Sequence, residues 1–331
     1  MLPVTSLNGQ SPAIALNDED VAAETSHQIT SNITHVGPSS VNLSLTETVT
    51  PSFHPGQNIS ESTLSKLNSL FSMAKKGCIN SYLLFAQEMS NNHIQTDEML
   101  RRLDRIHLPI IIEAINKRYP GININHGKSW EMMAAINNMQ ENHRLRYLLD
   151  QHPAHYSFIE ILKQTDKPLR IIGIDSAKAP SAGFTTLKLT EPYQAVDFQL
   201  RIQHSREDCT IFSLDFAVKS FLFEKELDSS VKYITDNYLN KENYYHTDYR
   251  PKTLVYSLPA DFYIHTQARS TIKNTPLENK YVESINMTIP EWQERHLRPL
   301  EDPITRIGAP KYYNNSIEER RIELIKLAIP Q

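Results

Sequence analysis

The period of the apolar positions changes several times along the chain, and each change marks an element. In "SESTLSKLNSLFSMAKKGCINSYLLFAQEMS", Leu64, Leu67, Leu70, Phe71, Ala74, Cys78, Tyr82 and Phe85 recur three and four residues apart. That spacing predicts a helical stretch, with Cys78 a small core residue on its apolar stripe. Ser60 or Ser62 is placed to cap its start. "TDEMLRRLDRIHLPIIIEAINKRYP" predicts a second helix, "GININ" a short strand and "SWEMMAAINNM" a further helix. Two β-rich runs around a polar turn in "HYSFIEILKQTDKPLRIIGIDS" predict a hairpin, and "QAVDFQLRIQ" a third strand. Ile211, Phe212, Leu214, Val218, Phe221 and Leu222 then give the next helix a buried face, with Cys209 in its first turn. "TLVYSLPADFYIHTQARS" reads as a strand running into a helix, and "SIEERRIELIKLAI" as an amphipathic closing helix. No internal repeat is present.

Residues 1 to about 60 break this regularity. "TSHQITSNITHVGPSSVNLSLTETVTPSFHPGQNIS" has no sustained period and almost no aromatic residues. It has too little apolar surface to offset its chain entropy, which predicts a disordered leader. The rest of the 331-residue chain is long enough for one large domain or two small ones. With 40% hydrophobic and 22% charged residues, its composition is that of a globular protein. A net charge of −4 does not call for nucleic acid or any other polyanionic partner, although a local basic patch remains compatible with it. Two cysteines cannot form a disulfide framework, which points to a reducing compartment. No segment has the length of a membrane span, a basic-then-apolar signal peptide is lacking, and Leu2 excludes N-myristoylation.

Candidate chemistry gathers at the hairpin and the helix after it. If Gln164, Thr165 and Asp166 form the loop, Ile161 faces Leu169, Ile159 faces Ile171, Ser157 faces Gly173 and His155 faces Asp175. Opposed side chains share one face, so His155 gains the carboxylate that orients a catalytic imidazole. A loop shorter by one residue would separate them. A helix N-terminus and a nearby imidazolium both raise the thiolate fraction of a cysteine, and Cys209 has both within reach. First-turn N–H groups can receive an oxyanion, and Gln203, six residues earlier at a strand end, adds a side-chain donor. Each signal alone has a plain structural reading: a small buried thiol, a hydrogen-bonded strand histidine, an Asp-Ser turn. Their joint order, His155, Asp175, Gln203 and Cys209 before a helix, favours nucleophilic catalysis.

That order, with "HYS", "IGIDS" and "QHSREDCTIFSLDFA", resembles the YopJ family of bacterial effector acetyltransferases over roughly residues 62 to 331. "HLPIIIEAINKRYPGI" and "LPADFYIHTQARS" lend further support. The resemblance implies an α+β fold with a papain-like core of the adenain and ubiquitin-like-protease type: a central mixed sheet packed by helices, with the nucleophile at a helix N-terminus. It implies a catalytic core at about 105–228 and mostly helical regulatory regions at about 61–105 and 229–331. By the same resemblance, Cys209 accepts acetyl from acetyl-CoA, His155 is its base, Asp175 the orienting acid and Gln203 the oxyanion-hole donor. Two positions depart from the usual pattern: Asp175 stands where many relatives have Glu, and Thr210 where Gly often follows the nucleophile.

The family is activated by inositol hexakisphosphate. Arg101, Arg102, Arg105, Arg320 and Arg321 are candidates to bind it, although a solvated helix face explains any one of them equally well. Lys273 and Lys280 are candidates for self-acetylation. The resemblance further implies a type III secretion leader, action in the host cytoplasm and host signalling proteins such as kinases as substrates, with no metal. A cysteine protease for ubiquitin or SUMO conjugates is the alternative, weakened by Tyr156 where those enzymes carry Trp and by Thr210 where they carry Gly. A pseudoenzyme that only occupies a host kinase ranks last, because all four active-site residue types are present.

Overall fold

A computed structural model describes residues 59–94, 98–151, 155–177, 189, 191–205, 207–238, 257–300 and 311–330. The expected leader falls outside these residues, apart from Ile59 and Ser60. Ser60 is the N-cap of helix α1 (Glu61–Lys75), its hydroxyl accepting from the Thr63 N–H at 3.2 Å. The apolar stripe read as one helical stretch is broken at Gly77, where φ is +95°. There the Gly77 N–H donates to the Ala74 carbonyl and the Cys78 N–H to the Met73 carbonyl, the paired bonds of a glycine-terminated helix end. Helix α2 (Ile79–Asn91) starts afresh, so Cys78, expected in the core, is instead exposed at its N-cap.

Helix α3 (Glu98–Arg118), strand β1 (Ile124–Gly127) and helix α4 (Ser129–Asn137) follow. Strands β2 (His143–Gln151), β3 (His155–Lys163), β4 (Leu169–Asp175) and β5 (Tyr193–Gln199) complete a five-stranded sheet in the order β1-β2-β3-β4-β5. β1–β2 and β4–β5 pair in parallel, and β2–β3 and β3–β4 antiparallel. Helices α5 (Cys209–Leu222) and α6 (Glu224–Tyr238) come next. "ADFY" in the region expected to be a strand and helix forms one 3₁₀ turn, Ala260–Tyr263, and the "TLVY" part lies outside the described residues. Helix α7 (Arg269–Ile272), strands β6 (Tyr281–Val282) and β7 (Met287–Thr288), helix α8 (Ile289–Arg295), strands β8 (Leu297–Leu300) and β9 (Lys311–Asn314), and helix α9 (Ser316–Leu327) finish the chain.

The β3–β4 register corrects the expected one. Ile161 pairs with Ile171 and Ile159 with Gly173, two residues from the expected partners. Lys167 and Pro168 fall in the loop because proline has no N–H to give to a ladder. A slip of two keeps every side chain on its face, so the hairpin survives the change. β2 is not among the elements expected from the sequence. Its alternating Arg144 and Arg146 look solvated in sequence, but both are engaged by Glu160 of β3 and by Glu224 of α6.

One sheet face carries Tyr147, Ile159, Ile161 and Ile171, packed with Met132 and Ile136 of α4. The other carries Phe158, Ile172, Ile174 and Phe198 against Phe212, Leu214 and Phe216 of α5. The second cluster also takes in Leu67, Phe85, Leu103, Ile111, Val231 and Leu324, so residues before and after the sheet share its core.

Candidate active site

His155 opens β3 and Asp175 closes β4, so antiparallel pairing brings them to one end of the sheet. Extended by one step, the observed register sets Asp175 across from Ser157 and diagonal to His155. A diagonal neighbour on the same face is within reach of long side chains. The His155 Nε2 and Asp175 Oδ2 lie 2.6 Å apart. Asp175 is buried, and its other oxygen accepts from the Ala177 N–H at 2.7 Å, which fixes the carboxylate. Cys209 opens α5, is buried, and is hydrogen-bonded to His155. With Nε2 engaged by Asp175, Nδ1 is the ring nitrogen left for exchange with the thiol.

Burial works against a charged His155. Hydrogen bonds and charge from Asp175 and from Cys209 outweigh it and lift the imidazole from 6.5 to about 10. The geometry therefore holds a protonated imidazole beside the sulfur at neutral pH.

Gln203 lies on the loop between β5 and α5. The Ser176 hydroxyl donates to its Oε1 at 2.6 Å, and its Nε2 donates to the Ser205 carbonyl at 2.7 Å. The Ile202 and Gln203 N–H groups both donate to the Ser176 carbonyl at 2.9 Å. Ser176, the last letter of "IGIDS", thus orients the Gln203 amide, a role that no spacing in the sequence signals.

Four of the five basic candidates are engaged by carboxylates of the chain. Arg101 pairs with Glu98 and Glu207, and Arg105 reaches Asp150 with both oxygens near 3 Å while lying over the Tyr156 ring. Arg102 is half-buried. Arg320 bonds Asp215 and Glu323. Arg321, expected as a surface cation, is 1% exposed, its guanidinium held by Asp104 at 3.0 Å and Asp208 at 2.5 Å. It is part of a buried network that includes Tyr82, whose hydroxyl donates to Asp104. Lys273 and Lys280 are exposed. Among the described residues no group of three or more His, Cys, Asp or Glu is placed to hold a metal, and no helix is long and apolar enough to cross a membrane.

A mixed sheet packed by helices, with Cys209 at the head of α5 and His155 at the start of β3, is a papain-like core. The sequence model described as YopJ Serine/Threonine acetyltransferase matches residues 79–327, and the chain belongs to that family. Among solved structures it is similar to "AvrA delL154 with IP6, CoA", with 20% identity and a TM-score of 0.57, covering 80% of this chain and 99% of that one. It is also similar to "HopZ1a in complex with IP6 and CoA", with 17% identity and a TM-score of 0.58, covering 82% and 98%. No curated protein matches the chain.

Proposed function

We propose that the protein transfers acetyl from acetyl-CoA to Ser, Thr or Lys side chains by way of an acetyl-Cys209 intermediate. The observation that carries this reading is the bonding of His155 to both Asp175 and Cys209. Cys209 thiolate attacks the thioester carbonyl, a carbon–sulfur bond forms, and the bond to CoA breaks. His155 gives its proton to the departing CoA thiolate. The first-turn N–H groups of α5 and the Gln203 amide N–H not bonded to Ser205 are the donors proposed for the oxyanion.

The second half-reaction needs a neutral His155. Part of what raises its pKa is the hydrogen bond and charge of Cys209. Acetylation removes both, so the imidazole becomes more easily deprotonated in the acetyl-enzyme. It then takes the proton of the acceptor hydroxyl or amine as that group attacks the acetyl carbon, the carbon–sulfur bond breaks and Cys209 leaves as thiolate.

The names of the similar structures include IP6 and CoA, which supports CoA as donor and inositol hexakisphosphate as activator for this chain. Arg101, Arg102, Arg105 and Arg320 remain the candidate anion contacts, and the burial of Arg321 argues against it. Lys273 and Lys280 have the exposure that self-acetylation requires. Family membership supports a type III leader at residues 1–60, a catalytic domain over 61–331 and action on host signalling proteins in the host cytoplasm.

The deciding experiment follows labelled acetyl from acetyl-CoA onto protein, with and without inositol hexakisphosphate, for wild type and Cys209→Ala. Label on wild type alone, rising with the activator, is expected. Equal labelling of Cys209→Ala would remove the cysteine from the mechanism. No label together with cleavage of a ubiquitin or SUMO conjugate would turn the reading to a protease.

A further inference from the structure

We infer that Gln267 is a positioning residue for acyl transfer: its buried side chain sets the loop that carries Gln203 and delivers Cys209 to His155. The inference rests on the acetyltransferase reading above. Gln267 is 2% exposed and belongs to the segment leading into α7, more than fifty positions after the nucleophile. Its Oε1 accepts from the His204 N–H at 2.5 Å and the Ser205 N–H at 2.8 Å. Its Nε2 donates to Asp208 Oδ2 at 2.8 Å and Ser205 Oγ at 3.2 Å. Its backbone N–H donates to the Ile202 carbonyl at 2.9 Å, and its carbonyl accepts from the Asn314 N–H at 3.1 Å. One residue thereby supplies the loop with the bonds that a strand partner would otherwise provide.

The loop needs such a partner, because it contains Arg201 at φ +55°, a conformation that costs a non-glycine residue energy. Asp208 shows what the clamp achieves. It is the N-cap of α5, where an aspartate ordinarily bonds the helix's own N–H groups, yet it makes no such bond. Its carboxylate is drawn back to Gln267, Ser205 and Arg321 instead. The first turn beside Cys209 therefore receives no cap from the Asp208 side chain.

A swap of the two partners separates positioning from mere packing. Gln267→Glu sets a carboxylate against Asp208 Oδ2, with no proton between two acceptors. Adding Asp208→Asn restores an N–H donor there, keeps an oxygen for Arg321, and relocates the charge without adding any. The full-length chain with inositol hexakisphosphate is assayed for kcat and for KM toward acetyl-CoA, and for Cys209 alkylation by iodoacetamide across pH. Gln267→Glu should lower kcat by roughly 10²-fold with KM unchanged, and change the pH profile of Cys209 alkylation. The double variant should recover about tenfold in kcat and return the profile.

Gln267→Met, neutral and similar in size, should lower kcat and move the profile in the same sense, and it decides alone where a charged variant does not fold. A folded Gln267→Met or Gln267→Glu with wild-type kcat and alkylation profile overturns the inference, as does a folded double variant without recovery. Absence of acetyl transfer by wild type would sink the acetyltransferase reading, while the alkylation profiles would still decide the role of Gln267.

Discussion

At the residue scale, the protonation of His155 depends on both of its neighbours, Asp175 and Cys209. Asp175→Asn keeps the shape but removes the charge that favours the imidazolium. Acetyl transfer should fall by roughly 10²- to 10⁴-fold, read as the rate of labelled acetyl uptake at neutral pH. Unchanged uptake would dismiss Asp175 from the constellation. The dependence on Cys209 has its own check: in Cys209→Ala the His155 titration, followed by NMR of the imidazole, should move below the wild-type value of about 10. A stability consequence follows, with a definite sign. A histidine whose folded pKa is raised contributes stability fully below its ordinary 6.5, and that contribution is lost as pH rises to about 10. The melting temperature of wild type should therefore decline more across that window than that of His155→Ala.

At the element scale, the features carried by local period were legible and those set by distant partners were not. The helix after Cys209, the closing helix and the β3–β4 hairpin all follow from spacing within a dozen or so residues. Pro168 lengthens the hairpin loop and shifts the register by two from the expected one, yet His155 and Asp175 still meet, since strand faces repeat every second residue. β2 was hidden because Arg144 and Arg146 find their counter-charges on β3 and α6, far along the chain. Likewise Cys209, His155 and Asp175 were readable as an ordered set. Ser176, Asp208 and Gln267, which hold the loop between them, were not, since only folding brings "IGIDS" and "IHTQARS" together. The division of α1 from α2 turned on Gly77 alone. A Cβ at Gly77 would meet no other atom within 4 Å, so its φ of +95° is the only obstacle to substitution. Gly77→Ala should cost about 1–2 kcal/mol, measured by urea denaturation. A stability equal to wild type would show that the α1–α2 junction tolerates another path.

At the scale of the whole molecule, α3 and α9 meet at the start of α5. Arg321 of α9 lies between Asp104 of α3 and Asp208 at the start of α5, all three buried. Apolar packing gives this junction most of its adhesion, while the charges require a single arrangement, because any other leaves a carboxylate buried without its cation. Arg321→Ala does that directly and should destabilise the protein by about 3–5 kcal/mol. The loss should also depend on pH. Burial already raises the Asp104 pKa against the pull of Arg321, so removing the arginine raises it further. An aspartate whose folded pKa is raised binds protons on folding, and stability then falls as pH rises. The deficit of Arg321→Ala relative to wild type should accordingly be larger at pH 7.5 than at pH 5 in urea denaturation. A small deficit, equal at both values, is what an exposed arginine would give, and would mean that this junction is held by apolar contacts alone.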